Sequence, residues 1–139
     1  MNPKALALQD RTHRFFVRVT RFCEALPKNS TTSSVIDQLT DSAGSTDSNY
    51  RGACRARSPA EFISKIGVAA EEADESKGWL TALLARAYGD AAETRILIKE
   101  ADELTAIFTA SHKTATKRRA QRRAHEAEGK RLMKRRGRR

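Results

Sequence analysis

A helix start signal stands near the middle of the chain, at Arg57-Ser58-Pro59-Ala60-Glu61. Ser58 can cap a helix, Pro59 suits the first helical position with its fixed φ and missing N–H, and Glu61 is spaced to reach back. Upstream, Ile36, Leu39, Ala43, Thr46, Tyr50 and Ala53 step by three and four residues. Downstream, Phe62, Ile66, Ala69, Ala73, Ser76, Leu80 and Leu83 do the same. Two stripes with a period of about 3.5 predict two helices that pack lengthwise, with the hinge between them. That hairpin, from Gln38 to Leu80, leaves a helical bundle as the fold the rest must complete.

Two further helical patterns flank it. The first carries Leu8, Phe15, Val19, Phe22 and Leu26 on one stripe and stops at Pro27. Phe16 and Cys23 lie off that seam, which predicts a wider buried arc or contact with a neighbouring subunit. Lys28 to Ser34 reads as a polar loop whose hydroxyls cap the next helix. That helix is poor in large side chains, with Ser42, Ala43, Gly44, Ser45 and Ser48 leaving room for close approach. Asp47 further lowers its intrinsic stability. Tyr88-Gly89-Asp90 marks a short turn, with Asp90 and Glu93 spaced as a second capping box. Leu97, Ala101, Leu104, Phe108 and Ser111 then continue the seam to about His112. The expected fold is an all-α, antiparallel up-down four-helix bundle over residues 1–116, followed by a basic tail over 117–139.

Charge divides the chain at the same place. The formal net charge over 139 residues is +10. Residues 1–116 hold 15 Lys/Arg and 15 Asp/Glu, whereas 117–139 hold 12 Lys/Arg against two Glu. The excess sits on Lys117, Arg118, Arg119, Arg122, Arg123, Lys130, Arg131, Lys134, Arg135, Arg136, Arg138 and Arg139. Cations at this density neutralise phosphates and release counterions, so RNA or DNA is the expected partner. A solubilising or protein-binding tail and an anionic membrane surface are the alternatives. Nine arginines against three lysines favour phosphate forks over a membrane. Alanines and i, i+4 spacings through Glu128 can extend the fourth helix until Gly129 interrupts it. Without a polyanion the segment is expected to be frayed or disordered.

Within the body, Arg11, Arg14, Arg18 and Arg21 form a basic stripe beside the first apolar seam, either a solvated face or a phosphate-facing strip. Arg51, Arg55 and Arg57 close the second helix, where they complement its dipole or join that stripe in one patch. Glu71, Glu72, Asp74 and Glu75 are expected to make interhelix or intersubunit ion pairs with the basic first half. A di-metal reading of those acids would need Glu-x-x-His pairs. The residues three before His13, His112 and His125 are Asp10, Thr109 and Arg122, so no metal or cofactor is expected. Cys23 and Cys54 read as buried free thiols, and Trp79 and Tyr88 as core or interface anchors. No nucleotide loop or catalytic set emerges, which predicts a protein without chemistry of its own. No run of 18 apolar residues occurs, and Asp10, the four arginines and Glu24 oppose a signal peptide, so a cytoplasmic location away from the membrane is expected.

Asn49-Tyr50-Arg51, Ala53-Cys54-Arg55-Ala56-Arg57-Ser58, Ala60-Glu61-Phe62-Ile63, Glu71-Glu72-Ala73-Asp74-Glu75-Ser76 and Trp79-Leu80 closely resemble a bacterial family. These are the small four helix bundle proteins, also called ribosomal RNA intervening-sequence proteins. The resemblance spans about residues 10–110 and excludes the tail. It implies a homopentameric barrel of four-helix subunits. A related branch supplies the basic accessory protein of diversity-generating retroelement reverse transcriptases. The expected function is therefore non-enzymatic, oligomeric binding of RNA or DNA backbone, with a scaffold for a protein such as a reverse transcriptase as the alternative.

Overall fold

The computed structural model describes residues 2–138. Four helices follow one another: α1 Pro3–Glu24, α2 Ser30–Cys54, α3 Pro59–Ala85 and α4 Ala91–Gly137. Connections this short make each helix antiparallel to its predecessor, which gives the expected antiparallel four-helix bundle.

Side chains next to each helix start satisfy the orphan N–H groups there. Ser58 Oγ accepts from Glu61 N at 3.1 Å, with Pro59 at the first helical position. The Glu61 carboxylate accepts from Arg57 N at 3.0 Å, one residue earlier than a strict capping box. At α2 the expected polar loop through Ser34 is shorter, because Asn29 rather than a hydroxyl caps the helix. Its Oδ1 accepts from Thr31 N and Thr32 N, while the buried Thr32 Oγ1 accepts from Asn29 N at 2.9 Å. At α4, Asp90 Oδ1 accepts from Ala92 N, but Glu93 does not complete the expected second box. It turns across to α1 instead. Gly89, at φ +82°, closes the α3–α4 turn where an added Cβ would lie 2.8 Å from Leu26 Cδ2. Only glycine meets both demands.

The core follows the stripes. Phe15, Val19, Phe22 and Leu26 meet Leu39, Ala43, Tyr50 and Ala53, then Ile66, Ala69, Ala73, Leu80 and Leu83, and finally Leu97, Ala101, Leu104 and Phe108, all buried. Tyr50 and Phe108 stack at 5.0 Å near one end of the bundle. The small residues of α2 work as expected. Gly44 lets the ring of Phe16 approach to where a Cβ would stand 3.2 Å away, and Ser42 Oγ lies 2.8 Å from Ser76 Oγ of α3. Buried Thr12, Thr46 and Thr94 donate to backbone carbonyls one turn earlier, so their burial leaves no orphan hydroxyl. Cys23 is buried and Cys54 half-buried, both as free thiols. Burial pushes the Cys23 thiol up from its ordinary value.

The packing is lopsided. α3 lies along both α2 and α4, whereas α1 rests on α2 and meets α4 only sparsely. A groove of about 1120 Å³ remains between α1 and α4.

The tail corrects the sequence expectation. α4 continues as one helix of 47 residues through Gly129 and along the basic segment as far as Gly137. Its length is roughly 70 Å, of which roughly 30 Å follows Lys117. Two effects account for this. Ala, Arg, Lys, Glu, Leu and Met are strong helix formers, and a single interior glycine costs only about 1 kcal/mol once the helix is propagating from a packed body. Among the described residues no helix is long and apolar enough to cross a membrane.

Candidate nucleic-acid interface

Antiparallel order puts the N-terminus of α1, the C-terminus of α2, the N-terminus of α3 and the exit of α4 at one end of the bundle. Two clefts confirm the juxtaposition. One joins Asn2 and Ala5 to Tyr50, Cys54, Arg57 and Phe62. The other joins Pro59 and Phe62 to Ser111, Thr114, Arg118, Arg119 and Arg122. Arg55 and Arg57, exposed at the α2–α3 turn, therefore stand beside the root of the tail.

Beyond that root the side chains are open to water. Lys117, Arg118, Arg122, Arg123, Lys130, Arg131, Lys134, Arg135, Arg136 and Arg138 are exposed and Arg119 is half-buried. Arg139 lies outside the described residues. Among the described residues the only ion pair in this segment is Arg131 with Glu128, at 3.0 Å and one turn apart. At 100° per residue the two cation clusters, 117–123 and 130–138, point to different sides of the helix, so positive charge surrounds it. Leu132 and Met133 are the exposed large apolar side chains there, 50% and 75% accessible.

The α1 arginines are in a different condition. Arg11 forks onto Glu100, with Nε at 2.9 Å from Oε1, and reaches Glu103 at 2.6 Å. Arg18 grips Glu93 through two parallel bonds of 2.5 and 2.8 Å. This fork holds the Glu93 carboxyl below the usual carboxylate range, chiefly by hydrogen bonding. Arg14 pairs with Asp10 on its own helix at 2.9 Å, and Arg21 stays exposed on the same groove wall. Of the two readings of the α2 arginines, the joint patch is not made by Arg11 and Arg18, which turn toward α4. On the opposite flank of α1, His13 Nδ1 meets the buried Asp47 at 2.9 Å, and Arg51 stands 3.7 Å from the same carboxylate. Asp47 thus ties α1 to α2.

The acids that neutralise Arg11 and Arg18 are on α4. Among the described residues Glu71, Glu72, Asp74 and Glu75 form no ion pair with the basic first half, which corrects the expected interhelix pairing. Burial, then the neighbouring Glu75 and Glu71, push the Glu72 carboxyl up. Trp79 is half-buried against the core, with its indole N–H enclosed and unpartnered. Tyr88 lies under the Arg86 guanidinium at 5.6 Å. Composition missed three contributors to the tail end, Lys4, Lys65 and Lys113. Each is isolated in sequence, and only helix order gathers them.

Comparison with known proteins places this geometry in a lineage. The model of the 23S rRNA-intervening sequence protein family matches residues 4–110. A crystal structure of a protein of unknown function from the S23 ribosomal protein family of Bacteroides thetaiotaomicron superposes with a TM-score of 0.72 at 25% identity, covering 79% of this chain and 98% of that one. No curated protein matches. The tail lies outside the matched residues. Through its four-helix body the chain belongs to the 23S rRNA-intervening sequence protein family.

Proposed function

We propose that the protein binds nucleic acid through its helical tail and the adjoining end of the bundle, without chemistry of its own. One observation carries this reading. The tail cations are exposed and nearly unpaired on a preformed helix, whereas Arg11 and Arg18 are already neutralised within the fold. A helix with cations on all sides suits a groove walled by phosphates better than a flat anionic surface, which would engage one face only. Recognition is of backbone and shape, because no base-reading motif accompanies the cations. The family's name ties it to intervening sequences of 23S rRNA, so RNA is the first polymer to test. Residues 1–116 act as the holder and 117–139 as the reaching arm, in the cytoplasm.

The same reading has the bundle assemble as a homo-oligomer, a pentamer by family resemblance. Several tails then project together, and effective concentration makes weak contacts collectively strong. Support comes from the α1–α4 groove, where Ile96 is 48% exposed beside the half-buried Val17. That groove also favours a second reading, a scaffold for a protein partner such as a reverse transcriptase.

The test is a salt titration of binding to a short RNA hairpin and a matched DNA hairpin, with light scattering on the same samples. The expected result is affinity that falls linearly in log–log form with a slope of several units, from an oligomer larger than a dimer. Absence of binding to either polymer at low salt overturns the reading and leaves the scaffold.

A further inference from the structure

The two clefts at the root of the tail share one wall. Phe62, in the first turn of α3, lines both, together with Pro59. The ring is half-buried, with its inner side packed against the core. On one side of this ridge is a cleft of about 460 Å³ whose outer rim carries Arg118, Arg119 and Arg122. On the other side stands Arg57. Among the described residues none of these four arginines forms an ion pair. The cleft falls within the about 300–1,000 Å³ of small-ligand sites.

Its chemistry is that of a stacking platform under a phosphate clamp. An aromatic face offers favourable stacking to any base, and neighbouring arginines hold the backbone that delivers it. A base inside a duplex cannot use such a surface, because both its faces are already covered by its neighbours. A strand lying along the tail arginines arrives at this cleft where the tail meets the body.

We propose that the ridge of Phe62 and Pro59 is a binding site for one unpaired nucleotide. Its base stacks on the Phe62 ring and its phosphates are held by Arg118, Arg119 and Arg122. This rests on the nucleic-acid reading above and adds to it a specificity: an overhang, bulge or loop at the root, backbone along the tail. Phe62 sets the preference for unpaired ends, and the tail cations set the overall affinity.

The experiment uses the full chain, wild type and Phe62→Leu, with a blunt two-stranded RNA duplex and the same duplex carrying a two-nucleotide overhang. The salt concentration is one at which the blunt form binds. The expected result is an overhang-to-blunt affinity ratio of about ten in wild type, falling to near one in F62L. Thermal unfolding of F62L checks that the bundle is intact. A second arm needs no variant: photocrosslinking of a thio-substituted unpaired base to wild type, expected on the peptide that contains Phe62. A wild-type ratio of one, an F62L ratio still near ten, or crosslinks confined to the distal tail overturns the site while leaving the general nucleic-acid reading in place. Absence of binding to both duplexes at low salt overturns both.

Discussion

Two sets of arginines in this molecule share a residue type and a place on an α-helix and differ in what faces them. On α1, Arg11 and Arg18 face glutamates of α4 across a sparsely packed seam, at hydrogen-bonding distance. On the tail of α4, Arg118, Arg122 and Arg123 face water and Arg119 is half-buried, all without acidic partners among the described residues. The first set substitutes ion pairs for missing apolar contact between two helices. The second keeps its positive charge available. A basic stripe in a sequence therefore has no assigned function until the opposing helix is known. Opposite charge across the seam turns cations into structure, and its absence turns them into a binding surface.

Exchanging the two roles gives the largest expected effect. Changing Arg118, Arg119, Arg122 and Arg123 together to Gln should lower RNA affinity by about a hundredfold at 0.1 M salt, and reduce the log–log salt slope by about three to four. The melting temperature should hardly move, because among the described residues none of these side chains forms an ion pair and three of the four are exposed. Fluorescence anisotropy across a salt series reads both quantities. Equal loss from the matching set Arg11, Arg14, Arg18 and Arg21 would erase the distinction between the two stripes.

The opposite outcome is expected for the α1 set when stability is measured. Arg11→Gln with Arg18→Gln should destabilise the bundle by about 1–2 kcal/mol in urea unfolding. Arg14→Gln and Arg21→Gln should do almost nothing, since neither reaches α4. Acid should act on the same seam. The folded state holds Glu93 below its ordinary value of 4.5, so the contribution of the Arg18 pair is complete above that pH and is lost as pH falls through the lowered folded value. Arg18→Gln should remove that part of the acid dependence.

A smaller effect tests whether the tail acts as a rod or as a loose polycation. Gly129→Pro should break the helix near its distal third and weaken binding several-fold, while Gly129→Ala should raise helicity by about 1 kcal/mol of local stability. Circular dichroism at 222 nm with binding at one salt concentration separates the cases. Identical affinity for all three forms would mean that charge density alone matters.

The smallest expected change concerns the acids left over. Glu72 has its folded value raised, so its ionised form costs stability above that value and the cost vanishes below the unfolded one. Glu72→Gln should therefore stabilise the bundle slightly at pH 7, and the gain should vanish at acid pH, where the carboxyl is protonated in both states.

Much of the fold was legible because its signals are local. The Ser58-Pro59-Glu61 start, the seam from Ile66 to Leu83 and the turn at Gly89 depend on residues within a few positions of one another. The structure bears each of them out. Two local readings failed at competing partners. Asn29 took the cap assigned to hydroxyls, and Glu93 left its own helix start for Arg18. The tail was misjudged because its charge was weighed over its helix propensity, although a packed helix ahead of it removes the cost of nucleation.

Sequence alone determined that this chain makes four antiparallel helices with all excess charge at one end. Periodicity, caps and composition are properties of short stretches. Tertiary structure decided which arginines are neutralised, which three lysines join the tail end, and that Phe62 forms a ridge between two clefts. Each depends on how far one helix is rotated against another, which is set by the packing of the whole core.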